Sequence, residues 1–210
     1  MKAPFWSFFC SNFIQINYLP ILMSKKIFIF FFLSLSLLTY AKETVVKDFD
    51  GDGKYDKIVL NKKTKTIDYF LSTQDYKKQS SLIFTDFNDE SNLIETKNGF
   101  IFETNINDIL YSSIFKYDKK GNNLVLIALK RKIISNDFST ENGESSIDTV
   151  SKEFIGKWNS LDKNTNKVIA LPTLKTKTDL ESITLNNFND AYISKFNQQS
   201  VAFYKTEVSK

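Results

Sequence analysis

Asp48-Phe49-Asp50-Gly51-Asp52-Gly53-Lys54-Tyr55-Asp56 runs without a break into Lys57-Ile58-Val59-Leu60. The first nine residues place four carboxylates at alternating positions with glycines between them. Ca²⁺ is a hard cation that takes six to eight oxygens, and aspartates spaced by two on a tight turn can face one centre. Asp48, Asp50 and Asp52 are the expected side-chain ligands, Lys54 offers its backbone carbonyl, and Asp56 binds directly or through water. Gly53 sits where the chain must turn sharply, and Gly51 loosens the turn further. Without a cation, four carboxylates in nine residues repel one another. The residues just past the loop decide the fold. A helix-flanked calcium loop would carry a bidentate Glu at its twelfth position, which here is Val59. The run 57–60 is rich in β-branched residues and predicts a strand, so the loop opens a sheet.

The pattern D-F-D-G-D-G-K-Y-D followed by an apolar strand resembles the calcium loop of the FG-GAP and VCBS repeats of secreted and surface proteins. The resemblance spans about a dozen residues. It implies a calcium site in an exported protein. Those families repeat the loop in several propeller blades, whereas this chain has one copy.

Strand signals continue from the loop to about residue 134, over 57–60, 66–71, 81–85, 100–103, 109–117 and 124–134. These runs carry alternating or continuous β-branched and aromatic residues, punctuated by Lys, Asn, Asp and Gly. The Gly-containing turn between 115–117 and 124–127 reads as a hairpin, and local pairing of this kind builds a meander. The polar stretch 136–148 reads as a long loop. Beyond it, 153–158 and 167–171 read as a strand pair ended by Pro172. Phe188, Ala191, Tyr192, Phe196 and Phe203 fall at spacings that fit one helical face. The expected fold is mainly β, an antiparallel meander or partial propeller-like sheet with a C-terminal helix, α+β overall.

Upstream, Lys25-Lys26, the apolar run 27–38 and Thr39-Tyr40-Ala41 have the order of a secretory signal peptide: charged n-region, h-region, small-residue cleavage site. Twelve apolar residues fall short of the roughly 20 needed for a span, so no stable membrane span is expected once the signal is removed. A signal peptide belongs at the N-terminus. Translation is therefore expected to begin at Met23, with 1–22 a mis-assigned extension, 23–41 the signal cleaved after Ala41, and 42–210 one β-rich calcium-loop domain. The expected destination is secreted or periplasmic.

Loss of the leader changes the charge argument. It carries Lys2, Lys25 and Lys26 and no acid, so 28 basic residues against 24 acidic become 25 against 24. A balanced chain gives no case for nucleic acid. The single cysteine, Cys10, departs with the leader, which leaves no disulfide. A domain of this size buries roughly 70% of its unfolded surface and needs no staple.

The chain has no histidine. A Ser-His-Asp triad, a Cys-His pair and His-ligated zinc are thereby excluded. A two-carboxylate hydrolase remains open. Asp86, Asp89 and Glu90 form the next acidic cluster, but a solvated turn is the plainer reading. Trp158, Phe154, Tyr111, Phe115 and Tyr117 read as core before interface. The basic runs at Lys62, Lys63 and Lys65 and at Lys130, Arg131 and Lys132 read as solvated faces.

The functional expectation is an exported calcium-binding protein without enzymatic activity that binds a protein or glycan of the cell envelope. In size and arrangement it resembles small periplasmic calcium-loop proteins that act as lysozyme inhibitors or immunity proteins. The alternative is a calcium-dependent carboxylate hydrolase acting on envelope polysaccharide.

Overall fold

A computed structural model describes residues 43–85, 87–135, 142–162 and 164–209. The signal peptide, its cleavage point and the Met23 start lie outside them, as does Asp86. Among the described residues no helix is long and apolar enough to cross a membrane.

Among the described residues the protein is mainly antiparallel β with a single α-helix, at the C-terminal end, as the strand patterning predicts. The first sheet has the sequential order β1 (Thr44–Lys47), β2 (Asp56–Asn61), β3 (Thr66–Phe70) and β4 (Gln79–Ser80). That is the strand number of a propeller blade. The second sheet departs from blade size. It runs β5 (Asn92–Thr96), β6 (Gly99–Ile106), β7 (Ile109–Asp118), β8 (Asn123–Ile133), β9 (Asn142–Asp148) and β10 (Glu153–Asp162), each strand paired with the next. The outer edge of β10 is shared by β11 (Lys167–Ala170) and β12 (Leu174–Lys177), which pair with its two halves in succession. Pro172 lies between them, where no ladder bond is needed.

Alternation of side chains across the pleat explains the core. Tyr111, Ser113 and Phe115 of β7, Leu124, Leu126, Leu129 and Arg131 of β8, and Phe154, Gly156 and Trp158 of β10 point inward. A register shift between Ile114 and Phe115 keeps both halves of β8 facing the same way. The inner face is closed by helix α1 (Asp190–Val208). Tyr192, Ile193, Phe196 and Ser200 are its buried residues. Phe154 packs edge-on to Phe203 at 4.7 Å, and Trp158 meets Tyr204 at 5.8 Å. Just ahead of the helix, Phe188 lies among Phe84, Phe102, Phe115 and Tyr192.

Several expectations need correction. Residues 142–148, read as loop, form the inner strand β9, with Asn142, Ser145 and Ile147 buried. Their polar composition hid them, because Ser145 faces the helix and hydrogen-bonds Ser200 at 2.7 Å. Residues 81–85 are not a strand. The ladder ends at Ser80, although Ser81 and Phe84 still donate to the carbonyls of Ile67 and Lys65. Ala191 is exposed, so the helical face is set by Tyr192 and Ile193 instead. Arg131 is no solvated residue. It is 2% exposed and donates from Nε to Asn197 Oδ1 and from Nη1 to Ser200 Oγ, tying α1 to β8. Trp158, Phe154, Tyr111 and Phe115 are core, and Tyr117 is half-buried.

Candidate metal centre

The 48–56 loop joins β1 to β2 and is closed largely by its own aspartates. Asp48 Oδ1 accepts from Gly51 N at 2.6 Å and its Oδ2 from Gly53 N at 3.0 Å. Asp50 Oδ1 accepts from Asp52 N at 3.0 Å, and Asp52 Oδ1 from Lys54 N at 2.7 Å. Short acidic side chains make such turns by reaching their own backbone two or three residues on. The winding requires left-handed backbone at Gly51 (φ 83°) and Gly53 (φ 86°), where a side chain would be strained. Between the first two acids, Phe49 turns the other way. It is buried and meets the Phe100 ring of β6 at 6.1 Å.

This alternation draws carboxylates together. Ligand oxygens of Asp48, Asp50 and Asp56 lie within 4.8 Å of one another, and the group could hold a metal ion. Asp50 and Asp56 are buried, Asp48 half-buried. Asp56 also clamps the backbone: its Oδ2 accepts from Phe49 N at 2.8 Å and its Oδ1 from Ser72 N at 2.7 Å. Each Asp56 oxygen, accepting one N–H, keeps a further lone pair for a cation.

Of the ligands expected from sequence, Asp52 stands outside this triad. Its Oδ2 accepts from Ser72 Oγ at 3.0 Å and lies 4.0 Å from Lys54 Nζ. Lys54 contributes its N–H to the turn, and its carbonyl stays an expected ligand. The residue that sequence reasoning missed is Ser72, at the start of the short helical turn Ser72–Gln74. Its hydroxyl also reaches Asp50 Oδ2 at 3.2 Å, so one side chain touches two acids of the loop and its N–H a third. The opposite side of the loop faces the β7–β8 turn, where the Lys119 ammonium lies 3.6 Å from the position a Cβ on Gly51 would take.

Desolvation alone would raise the Asp48 carboxyl. Backbone N–H groups of Gly51 and Gly53, with contributions from Asp50 and Asp52, outweigh it and hold the carboxyl below its ordinary 3.8. Asp48 is thereby kept as the anion a cation needs. The described members of the second acidic cluster, Asp89 and Glu90, show no such convergence. Asp89 pairs with Lys62 at 3.2 Å, Asn105 Nδ2 donates to Glu90, and Asn88 Oδ1 closes the turn by accepting from Glu90 N.

Scanned against protein-family models, the chain matches none, and no curated protein matches it in sequence.

Proposed function

We propose that this chain is an exported calcium-binding protein without catalytic activity, whose metal fixes the 48–56 loop so that neighbouring loops can hold a protein or glycan of the cell envelope. The observation that carries the reading is the convergence of Asp48, Asp50 and Asp56 oxygens within 4.8 Å. An all-oxygen, anionic donor set with room for backbone carbonyls and water suits Ca²⁺, which tolerates irregular geometry. The resemblance of the loop to those of FG-GAP and VCBS repeats supports the same cation, and the 23–41 leader supports export to a compartment where calcium is plentiful. Binding is favoured over two-acid hydrolysis by three clefts among the described residues. Those lined by Ser112 and Lys130, by Thr85 and Ile193, and by Tyr69 and Gln74 hold one carboxylate each, respectively Glu144, Asp190 and Asp75.

The test is thermal unfolding of the exported protein in EGTA and in about 1 mM Ca²⁺. A site of about 10 μM affinity stabilises the fold by roughly 2.7 kcal/mol under those conditions. At about 2–4 °C per kcal/mol for a domain of this size, Tm rises by about 5–10 °C. An unchanged Tm overturns the reading.

A further inference from the structure

A polar cleft of about 350 Å³ lies beside the metal loop, lined by Tyr69, Gln74, Asp75, Gln79, Asn122 and Asn123. One wall is the Ser72–Gln74 turn and the residues directly after it. The other is the β7–β8 turn. Gln74 Nε2 bridges them by donating to the Asn122 carbonyl at 2.7 Å, and the Tyr117 hydroxyl joins the Asn122 side chain. Primary amides dominate the lining, and each carries two donors and an acceptor. Gln74 Oε1 is buried with no hydrogen-bond partner. At the back, the Tyr69 hydroxyl lies 2.9 Å from Asn123 Oδ1 and 2.5 Å from Asn186 Oδ1. Burial, countered by the Asn186 and Asn123 amides, pushes this phenol up to about 12, so it remains a protonated donor.

Charge narrows the ligand. The cleft's charged residues, Asp75 and Lys77, are of opposite sign. Asp75 and Tyr76 both hold left-handed backbone (φ 54° each), a conformation that ends the Ser72–Gln74 turn, the Asp75 N–H closing on the Ser72 carbonyl. It leaves the Tyr76 ring 48% exposed between two cleft residues.

We propose that this cleft binds a sugar residue of a neutral glycan, and that the metal loop sets its shape. A sugar hydroxyl both donates and accepts, as the solvent-facing amide groups of the lining do. An apolar ligand would strip water from the amide atoms left facing the cleft without replacing its hydrogen bonds, which is unfavourable. A strongly charged one would find no net opposite charge. A space of this size takes about one ring. Ser72 couples the cleft to the metal. The turn that carries Gln74 is held to the loop by Ser72 N on Asp56 and Ser72 Oγ on Asp50 and Asp52. The Asn122 turn meets the loop through Lys119 beside Gly51. Loss of the cation sets the carboxylates against one another and shifts the anchor of both walls. This extends the proposed function, and its calcium dependence rests on that reading.

The experiment is a titration of the ¹⁵N-labelled exported protein, in calcium and in EGTA, with neutral trisaccharides of glucose, galactose, mannose and N-acetylglucosamine, followed by the side-chain amide signals of Gln74, Asn122 and Asn123. The parent monosaccharides distinguish a free sugar from a chain end, and an acidic trisaccharide and a polar peptide serve as competing classes. Saturable shifts of these signals with a neutral trisaccharide in calcium support the proposal. Gln74→Ala and Asn122→Gly, the latter retaining the left-handed backbone, then weaken binding tenfold or more while preserving the calcium-dependent Tm. No shift with any neutral sugar at about 10 mM, far above a weak millimolar Kd, overturns it. So do shifts confined to the acidic sugar or the peptide, or binding unchanged in both variants. Equal sugar binding in EGTA overturns the coupling alone. A calcium-responsive Tm without sugar shifts sinks the cleft and leaves the metal reading intact.

Discussion

Asp56→Asn and Asp48→Asn separate the two roles that the loop's carboxylates combine. Asp56 is fully buried, and its two oxygens accept N–H groups from Phe49 at 2.8 Å and Ser72 at 2.7 Å. An asparagine keeps one acceptor and turns a donor toward the other N–H. One buried donor then loses its partner, and a hydrogen bond to a charged acceptor is worth about 1.5–3 kcal/mol. At roughly 2–4 °C per kcal/mol, Asp56→Asn lowers Tm by about 3–12 °C even in EGTA. Calcium stabilisation is lost in addition, since a triad member has been neutralised. Asp48→Asn behaves differently. Its bonds to Gly51 and Gly53 close only the loop's own turn, so in EGTA the loss is small and in calcium nearly the whole metal increment of roughly 2.7 kcal/mol disappears. Differential scanning calorimetry of both variants, with and without calcium, reads all four quantities. If Asp56→Asn melts like the parent in EGTA, the backbone clamp is wrong. If Asp48→Asn keeps the parent's calcium response, the triad is wrong.

Other contacts lead to three further outcomes. Phe49→Ala removes the ring that anchors the loop to Phe100, so it destabilises by about 3–5 kcal/mol and weakens calcium binding measured by titration calorimetry; an unchanged Kd would show that the core does not position the ligands. At Gly143 (φ 129°) a Cβ would overlap the Lys157 carbonyl oxygen and crowd Trp158, so Gly143→Ala should depress Tm strongly whatever the calcium level, and a neutral effect would refute the close β9–β10 approach. Desolvation raises the Asp68 carboxyl, but Lys78 first, then Asn61, Ser80 and Thr66, outweigh it and hold it below 3.8. A depressed native value means that this stabilisation is complete above the ordinary carboxyl pKa and is lost as pH falls through the lower native one. Tm during acid titration should therefore fall less steeply in Asp68→Asn than in the parent, and parallel curves would refute the assignment.

Local patterns made β2, β7, β8 and the C-terminal helix legible, because each buries one face and writes that face as a period of two or 3.6, whereas β3, buried continuously over 66–69, was legible from its β-branched and aromatic residues. β9 was illegible for the converse reason: its inward residues include Asn142, which donates to the Ser135 carbonyl, and Ser145, which pairs with Ser200 far along the chain. Arg131 misled in the same way. A charge buried against a helix reads, in sequence, like any lysine-rich surface. The acidic loop announced itself because its ligands are consecutive, whereas Ser72 did not. Its relation to the loop depends on the β2–β3 register, in which Lys57 opposes Phe70, so that the chain just beyond β3 comes level with the loop's exit. No local motif encodes that register.

The carboxylates at Asp48 and Asp50 carry more charge than loop closure requires. Each accepts N–H groups within its own turn, work that asparagine or serine side chains also perform without charge. Asp56 could not be replaced so simply, because it must accept twice in a fully buried position. The excess negative charge gathers where oxygens of all three acids converge. A loop shaped only by its turns would have no use for it. On the proposed reading a cation answers that surplus, and through Ser72, which bonds Asp50 and Asp56, its presence would reach the turn that bounds the neighbouring cleft.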